Sequence, residues 1–134
     1  MDEKRPNILL LFTDQQRFDS IQAAGNPHMI TPNLDRLVNE GCLFRNAYTP
    51  NPICVPARYH LLTGCTVRRH GFADNAGKPM DPSVPALPRL LSDAGYATRA
   101  IGKMHFQPPR RHHGFDRMEL MEEHPRYRED DEYA

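Results

Sequence analysis

Cys54, Pro56 and Arg58 stand at i, i+2 and i+4 within Asn51-Pro52-Ile53-Cys54-Val55-Pro56-Ala57-Arg58, which runs on into Tyr59-His60-Leu61-Leu62-Thr63-Gly64. Proline favours the first turn of a helix, so this spacing predicts a helix start at Cys54 with a cation one turn further on. Unpaired N–H groups and the positive end of the helix dipole favour a bound anion at such a start. From these residues alone Cys54 has two readings: a small buried hydrophobe, the default for a lone cysteine, or a thiol activated by Arg58 and the helix terminus.

Other groups with chemical potential fall where regular elements run out. Asp14 follows the apolar run Asn7-Ile8-Leu9-Leu10-Leu11-Phe12-Thr13, which is short and uninterrupted and suits a strand buried on both faces. Ligands gather at the carboxyl edge of open α/β sheets, so Asp14 is either a metal or substrate group or simply the cap of the next turn. Gly102-Lys103-Met104-His105 similarly ends the strand predicted over Tyr96–Ile101. The neighbours His112 and His113 share no helical or strand face, which favours a solvated loop over a metal site. Arg68, Arg69, His70, Asp74, Asn75 and Lys78 lie in a loop-like stretch from Thr66 to Val84 and read mostly as surface.

The elements that position these groups alternate. Thr31–Gly41 has a capping residue, apolar positions at 34, 37 and 38 and a terminal glycine, predicting a short amphipathic helix. Cys42–Tyr48 reads as a second strand, and Ser83–Ala94 as a helix stopped by Gly95. Strand, helix, strand and helix in this order predict an α/β fold with a mostly parallel sheet flanked by helices. Residues from Met118 to Ala134 are polar and mixed in charge and read as exposed helix or loop. Glu129-Asp130-Asp131-Glu132 lacks the glycine-punctuated spacing of a calcium loop.

The chain has 134 residues, enough for one domain with a core. Seventeen Lys and Arg balance seventeen Asp and Glu, leaving no electrostatic footprint for nucleic acid. The run at residues 8–12 is far shorter than a membrane span, and its charged start differs from a signal peptide. No membrane partner and a cytoplasmic location are therefore expected. Cys42, Cys54 and Cys65 are odd in number and show no CxxC spacing, against a disulfide framework or a cysteine zinc site.

Four ordered stretches together resemble the sulfatase branch of the alkaline-phosphatase-like superfamily. They are Pro6-Asn7-Ile8-Leu9 through Thr13-Asp14-Gln15; Thr31-Pro32-Asn33-Leu34-Asp35-Arg36-Leu37; Cys54-Val55-Pro56-Ala57-Arg58 with Leu62-Thr63-Gly64; and Gly95-Tyr96 through Gly102-Lys103-Met104-His105. The resemblance covers about Pro6 to Phe115. It implies that Cys54 is converted to formylglycine by a formylglycine-generating enzyme, and that residues 1–134 are the N-terminal portion of a longer catalytic domain, with 116–134 a polar tail.

It also implies roles. Asp14, Gln15 and the hydrated aldehyde of residue 54 would ligate a divalent cation, usually calcium, with magnesium or manganese as alternatives. Arg58 would hold the hydrate, Lys103 and His105 would contact the hydrate and the sulfate oxygens, and Asn75 would bind a substrate oxygen. Gln15 is a departure, since many sulfatases carry a second Asp there, and Asp-Gln looks more like choline sulfatases and phosphonate monoester hydrolases. The implied reaction is hydrolysis of a small sulfate monoester, with a phosphonate or phosphate ester hydrolase or a noncatalytic fragment as alternatives. A hydrate attacks sulfur, releases the alcohol, and then uses its second hydroxyl to expel sulfate. A thiol or a serine lacks that second hydroxyl. Cys54→Ala and Cys54→Ser should therefore both abolish multiple turnover in a sulfate-ester assay, and retained turnover by Cys54→Ala would contradict the implied mechanism.

Overall fold

Helix α1 (Pro32–Glu40) begins with proline in its first turn and ends where Gly41 donates its N–H to the Leu37 carbonyl at 3.0 Å. A Cβ on Gly41 would stand 2.7 Å from that carbonyl oxygen, so the stop requires glycine. Asp35 ties the helix to the segment before it, accepting the Thr31 hydroxyl at 2.8 Å and the Ala23 N–H at 2.9 Å. The computed structural model describes residues 5–76 and 78–121 and divides into two units, Met1–Ala47 and Tyr48–Ala134. Helix α1 belongs to the first.

The second unit carries the core. Helix α2 (Cys54–Thr63) ends at Gly64, whose left-handed φ of 65° lets its N–H reach the His60 carbonyl. Short α3 (Val67–His70) ends the same way at Gly71, with φ 85°. Helix α4 (Leu87–Asp93) leads through Gly95 into β1 (Arg99–Gly102), which pairs in parallel with β2 (Arg117–Leu120), Arg99 opposite Arg117 and Gly102 opposite Leu120. Asp116 fixes the start of this pair by accepting the Thr98 N–H at 2.7 Å and the Thr98 hydroxyl at 3.1 Å. Those two bonds, the backbone one first, hold its carboxyl below the usual aspartate range. Val55, Tyr59 and Leu62 of α2 pack with Phe72, Met80, Val84, Ala86 and Phe106 to form the buried cluster.

The α/β class and the parallel pairing agree with the sequence pattern, as do the helices over α1 and α4. Three expectations change. Asn7–Thr13 forms no strand, and Leu9 and Leu11 are 82% and 73% exposed. Cys42–Tyr48 is irregular as well, with Phe44 exposed. A strand is defined by its ladder, and an apolar run specifies burial without supplying the neighbour that completes it. Conversely β2 lies where a polar tail was expected: Met118 and Leu120 are half-buried while Arg117 and Glu119 face solvent, a short period-two signal submerged in mixed charge. Residues 122–134, with the acidic cluster, lie outside the described residues. No helix among the described residues is long and apolar enough to cross a membrane.

The Tyr59 and Phe72 rings stack with centroids 3.9 Å apart, both essentially fully buried. Phe72→Ala should therefore lower the unfolding free energy by about 3–5 kcal/mol, measured by denaturant titration, whereas loss of the exposed Phe44 ring should change it by less than about 0.5 kcal/mol.

Candidate active site

Cys54 is the first residue of α2, half-buried, and the helix start is capped from a distance. The N-cap residue Ile53 has no side chain able to accept a bond, and the Asn75 Oδ1 accepts the Val55 N–H instead at 3.0 Å. The loop bearing Asn75 is itself anchored: Asn51 Nδ2 donates to the Ala73 carbonyl at 2.7 Å, and Asp74 Oδ1 accepts the Ala76 N–H at 2.8 Å.

One turn along α2, Arg58 is buried at 9% exposure. A guanidinium so placed must be hydrogen-bonded, because an unpaired buried cation is strongly destabilising. Its terminal nitrogen donates to the backbone carbonyl of Lys103, the residue that follows β1. The Lys103 ammonium in turn comes within 3.9 Å of the Cys54 Sγ. His105, half-buried with φ 53°, lies two residues further along the same segment. The structure thus brings Cys54, Arg58, Asn75 and Lys103 together, with His105 on the segment that carries Lys103. Asp14 and Gln15 lie in the other unit, both exposed, with Gln15 at φ 56°.

Beneath these residues is a second polar layer. The Tyr59 hydroxyl accepts the Gln107 N–H at 3.0 Å and lies 3.0 Å from His113 Nε2 and 3.3 Å from the Gln107 carbonyl. Desolvation pushes the Tyr59 phenol up to about 12, so it stays protonated and its hydroxyl has a proton to donate to the Gln107 carbonyl. Gln107 also reaches the Asn75 carbonyl through its side chain at 3.5 Å. On the other side of α2, His60 Nδ1 contacts the Cys65 carbonyl at 2.6 Å and His70 Nε2 at 3.1 Å, while His70 Nδ1 accepts the Phe72 N–H.

Pattern reasoning placed His112 and His113 together in solvent. His112 is indeed exposed, with Nδ1 2.9 Å from the Phe115 carbonyl, but His113 turns inward onto Tyr59 and Phe106. Tyr59 and Gln107 were not singled out at all. Their bond joins residues 48 apart, and no local spacing reports such a contact.

The donor chemistry can be tested against a divalent cation. A carboxylate from Asp14 and an amide oxygen from Gln15 are hard ligands that fit calcium or magnesium in kind. They are too few for a complete shell, and no group of three or more His, Cys, Asp or Glu able to hold a metal occurs among the described residues.

The sulfatase family model matches residues 6–133. This chain belongs to the sulfatase family. It is 42% identical over 127 residues to N-acetylgalactosamine-6-sulfatase of Homo sapiens, covering 83% of this chain and 24% of that protein. Among solved structures, one described as a complex with its substrate D-glucosamine-2-N,6-O-disulfate superposes with a TM-score of 0.78 at 38% identity, covering 86% of this chain and 23% of that one. The phosphonate monoester hydrolase of Agrobacterium radiobacter superposes with a TM-score of 0.75 at 29% identity, covering 91% of this chain and 27% of that one. The chain thus spans about a quarter of the length of these sulfatase relatives.

Burial, reinforced by nearby Arg111, lowers the His113 imidazole from 6.5 to about 4. Burial, then His60, lowers His70 as well. Since the unfolded chain takes up a proton first, the contribution of His113 to stability is complete above pH 6.5 and is lost as pH falls toward 4, and His70 acts in the same direction. Denaturant midpoints of this sulfatase chain should accordingly fall between pH 7 and pH 4.5, and His113→Gln should flatten part of that slope. Parallel slopes for the two proteins would contradict the assignment to His113.

Proposed function

We propose that this chain is the nucleophile-bearing part of a sulfate monoester hydrolase acting through a formylglycine derived from Cys54. The observation that carries the reading is the arrangement at the start of α2: Cys54 leads the helix, Arg58 is buried one turn below it, and the Lys103 ammonium stands 3.9 Å from the thiol. A sulfate monoester is an anion, and an anionic nucleophile approaches it only where fixed cations offset the repulsion.

Each residue has a part. When formed, the hydrated aldehyde at position 54 supplies a nucleophilic oxygen together with the second hydroxyl that releases sulfate. Arg58 and the α2 N-terminus supply fixed positive charge at that position, and their bonds keep it oriented before substrate arrives. Lys103 reaches the reacting centre directly and would bind a sulfate oxygen, with His105 beside it on the same segment. Because the Asn75 side-chain oxygen Oδ1 is committed to the Val55 N–H, its side-chain nitrogen Nδ2 is the end that would donate to a substrate oxygen. Asp14, Gln15 and residue 54 would contribute to a divalent-cation site, calcium by preference, with the remaining ligands supplied from outside the described residues. The cation would lend Lewis-acid charge.

A phosphonate or phosphate ester hydrolase is the second reading, favoured by the Asp14-Gln15 pair and by the likeness to the phosphonate monoester hydrolase. Both use the same groups, so the discriminating experiment compares leaving-group-matched substrates in the full-length enzyme. The sulfatase reading expects a higher kcat/KM for the sulfate monoester, and expects Lys103→Ala to lower it by about 10²-fold or more. A higher kcat/KM for the phosphonate monoester would transfer the assignment to the second reading, and no turnover of either would overturn both.

A further inference from the structure

Arg58 and Tyr59 are consecutive residues of α2, yet they hold opposite ends of one short segment. Arg58 donates to the carbonyl of Lys103. The Tyr59 hydroxyl accepts the N–H of Gln107 at 3.0 Å. Between these ties lie Lys103, whose ammonium approaches Cys54, and His105, whose backbone has φ 53°, a conformation that a non-glycine residue holds only when its surroundings impose it. The hydrogen bonds also close a circuit: Val55 to Asn75, the Asn75 carbonyl to the Gln107 side chain, and the Gln107 N–H to Tyr59 on the same helix as Val55.

We propose that the Tyr59 hydroxyl is a positioning group for the reaction centre: together with Arg58 it clamps the 103–107 segment to helix α2, so that the helix carrying Cys54 also fixes where Lys103 and His105 stand. The proposal rests on the sulfatase reading for its catalytic consequence and on geometry alone for the clamp. Tyr59 is suited to the task because its ring is immobile, fully buried and stacked on Phe72, with Phe106 and His113 packed around it. An oxygen at the end of such a ring has nowhere else to go. The hydroxyl also lies 3.0 Å from His113 Nε2 and donates to the Gln107 carbonyl at 3.3 Å, so it meets Gln107 through both of that residue's backbone groups.

The test is Tyr59→Phe in the full-length enzyme with residue 54 converted, since phenylalanine keeps the ring and removes the oxygen. A displacement of reacting groups by a fraction of an ångström is costly, so kcat per converted enzyme should fall by about tenfold or more, with a smaller change in KM. Amide exchange followed by mass spectrometry should show residues 103–107 exchanging faster while α2 remains protected. A kcat within about twofold of the parent overturns the positioning role, and unchanged exchange over 103–107 overturns the clamp. The parent protein supplies a check that needs no variant: the Gln107 amide should be protected to the same degree as the amides of α2, and rapid exchange there would refute the clamp. Should the parent turn over neither sulfate nor phosphonate ester, the functional assignment fails while the exchange measurements still decide the clamp.

Discussion

The buried guanidinium of Arg58 is the constraint on which the rest of the site depends. A cation removed from water has to find hydrogen bonds inside the protein, and one acceptor provided is the backbone carbonyl of Lys103, to which a terminal guanidinium nitrogen donates. That bond ties the residue after β1 to α2. That in turn carries the Lys103 side chain to Cys54. The charge that the proposed chemistry would use and the bond that ties the 103 segment to α2 belong to the same residue.

Helix α2 is built to serve both ends. Val55, Tyr59 and Leu62 are buried, and they sit against Phe72, Met80, Val84, Ala86 and Phe106 to make the core of the Tyr48–Ala134 unit. Its first turn has no local cap, which leaves backbone donors available near Cys54, and one of them is satisfied by Asn75 twenty positions away. Loops rather than regular elements hold the remaining groups, yet these loops are constrained. Gly114, at φ 95°, passes so close to α4 that a Cβ there would lie 2.5 Å from the Arg89 nitrogen, and Asp116 pins the following residues to Thr98. The connection between β1 and β2 is thus fixed at both its ends and at Gln107 near its middle.

Local signals in the sequence reported local structure well. Gly41 marks the end of α1, and the Leu87, Leu90 and Leu91 spacing marks α4. Cys54 and Arg58 stand out by their spacing at a helix start and Lys103 by its place where a strand runs out, and the structure brings the three together. What could not be read was whatever depends on a distant partner. The apolar run at residues 8–12 looks like a central strand in isolation, whereas strand formation is a property of the pair. His113 looks solvated beside Arg110, Arg111 and His112, and its inward turn is set by a tyrosine 54 positions earlier. Asn75 was placed by likeness to the family, but its bond to the Val55 N–H, and hence which end of its amide can face substrate, required the fold.

The account turns on whether residue 54 is the modified nucleophile that this surrounding cationic frame serves. Peptide mass spectrometry of the chain, produced together with a formylglycine-generating enzyme, addresses that most directly. The account predicts loss of sulfur and gain of oxygen at Cys54, with Cys42 and Cys65 unaltered. An unconverted Cys54, in chain shown to have been presented unfolded to the modifying enzyme, would contradict it and leave the arrangement at the start of α2 as an inherited frame without its nucleophile.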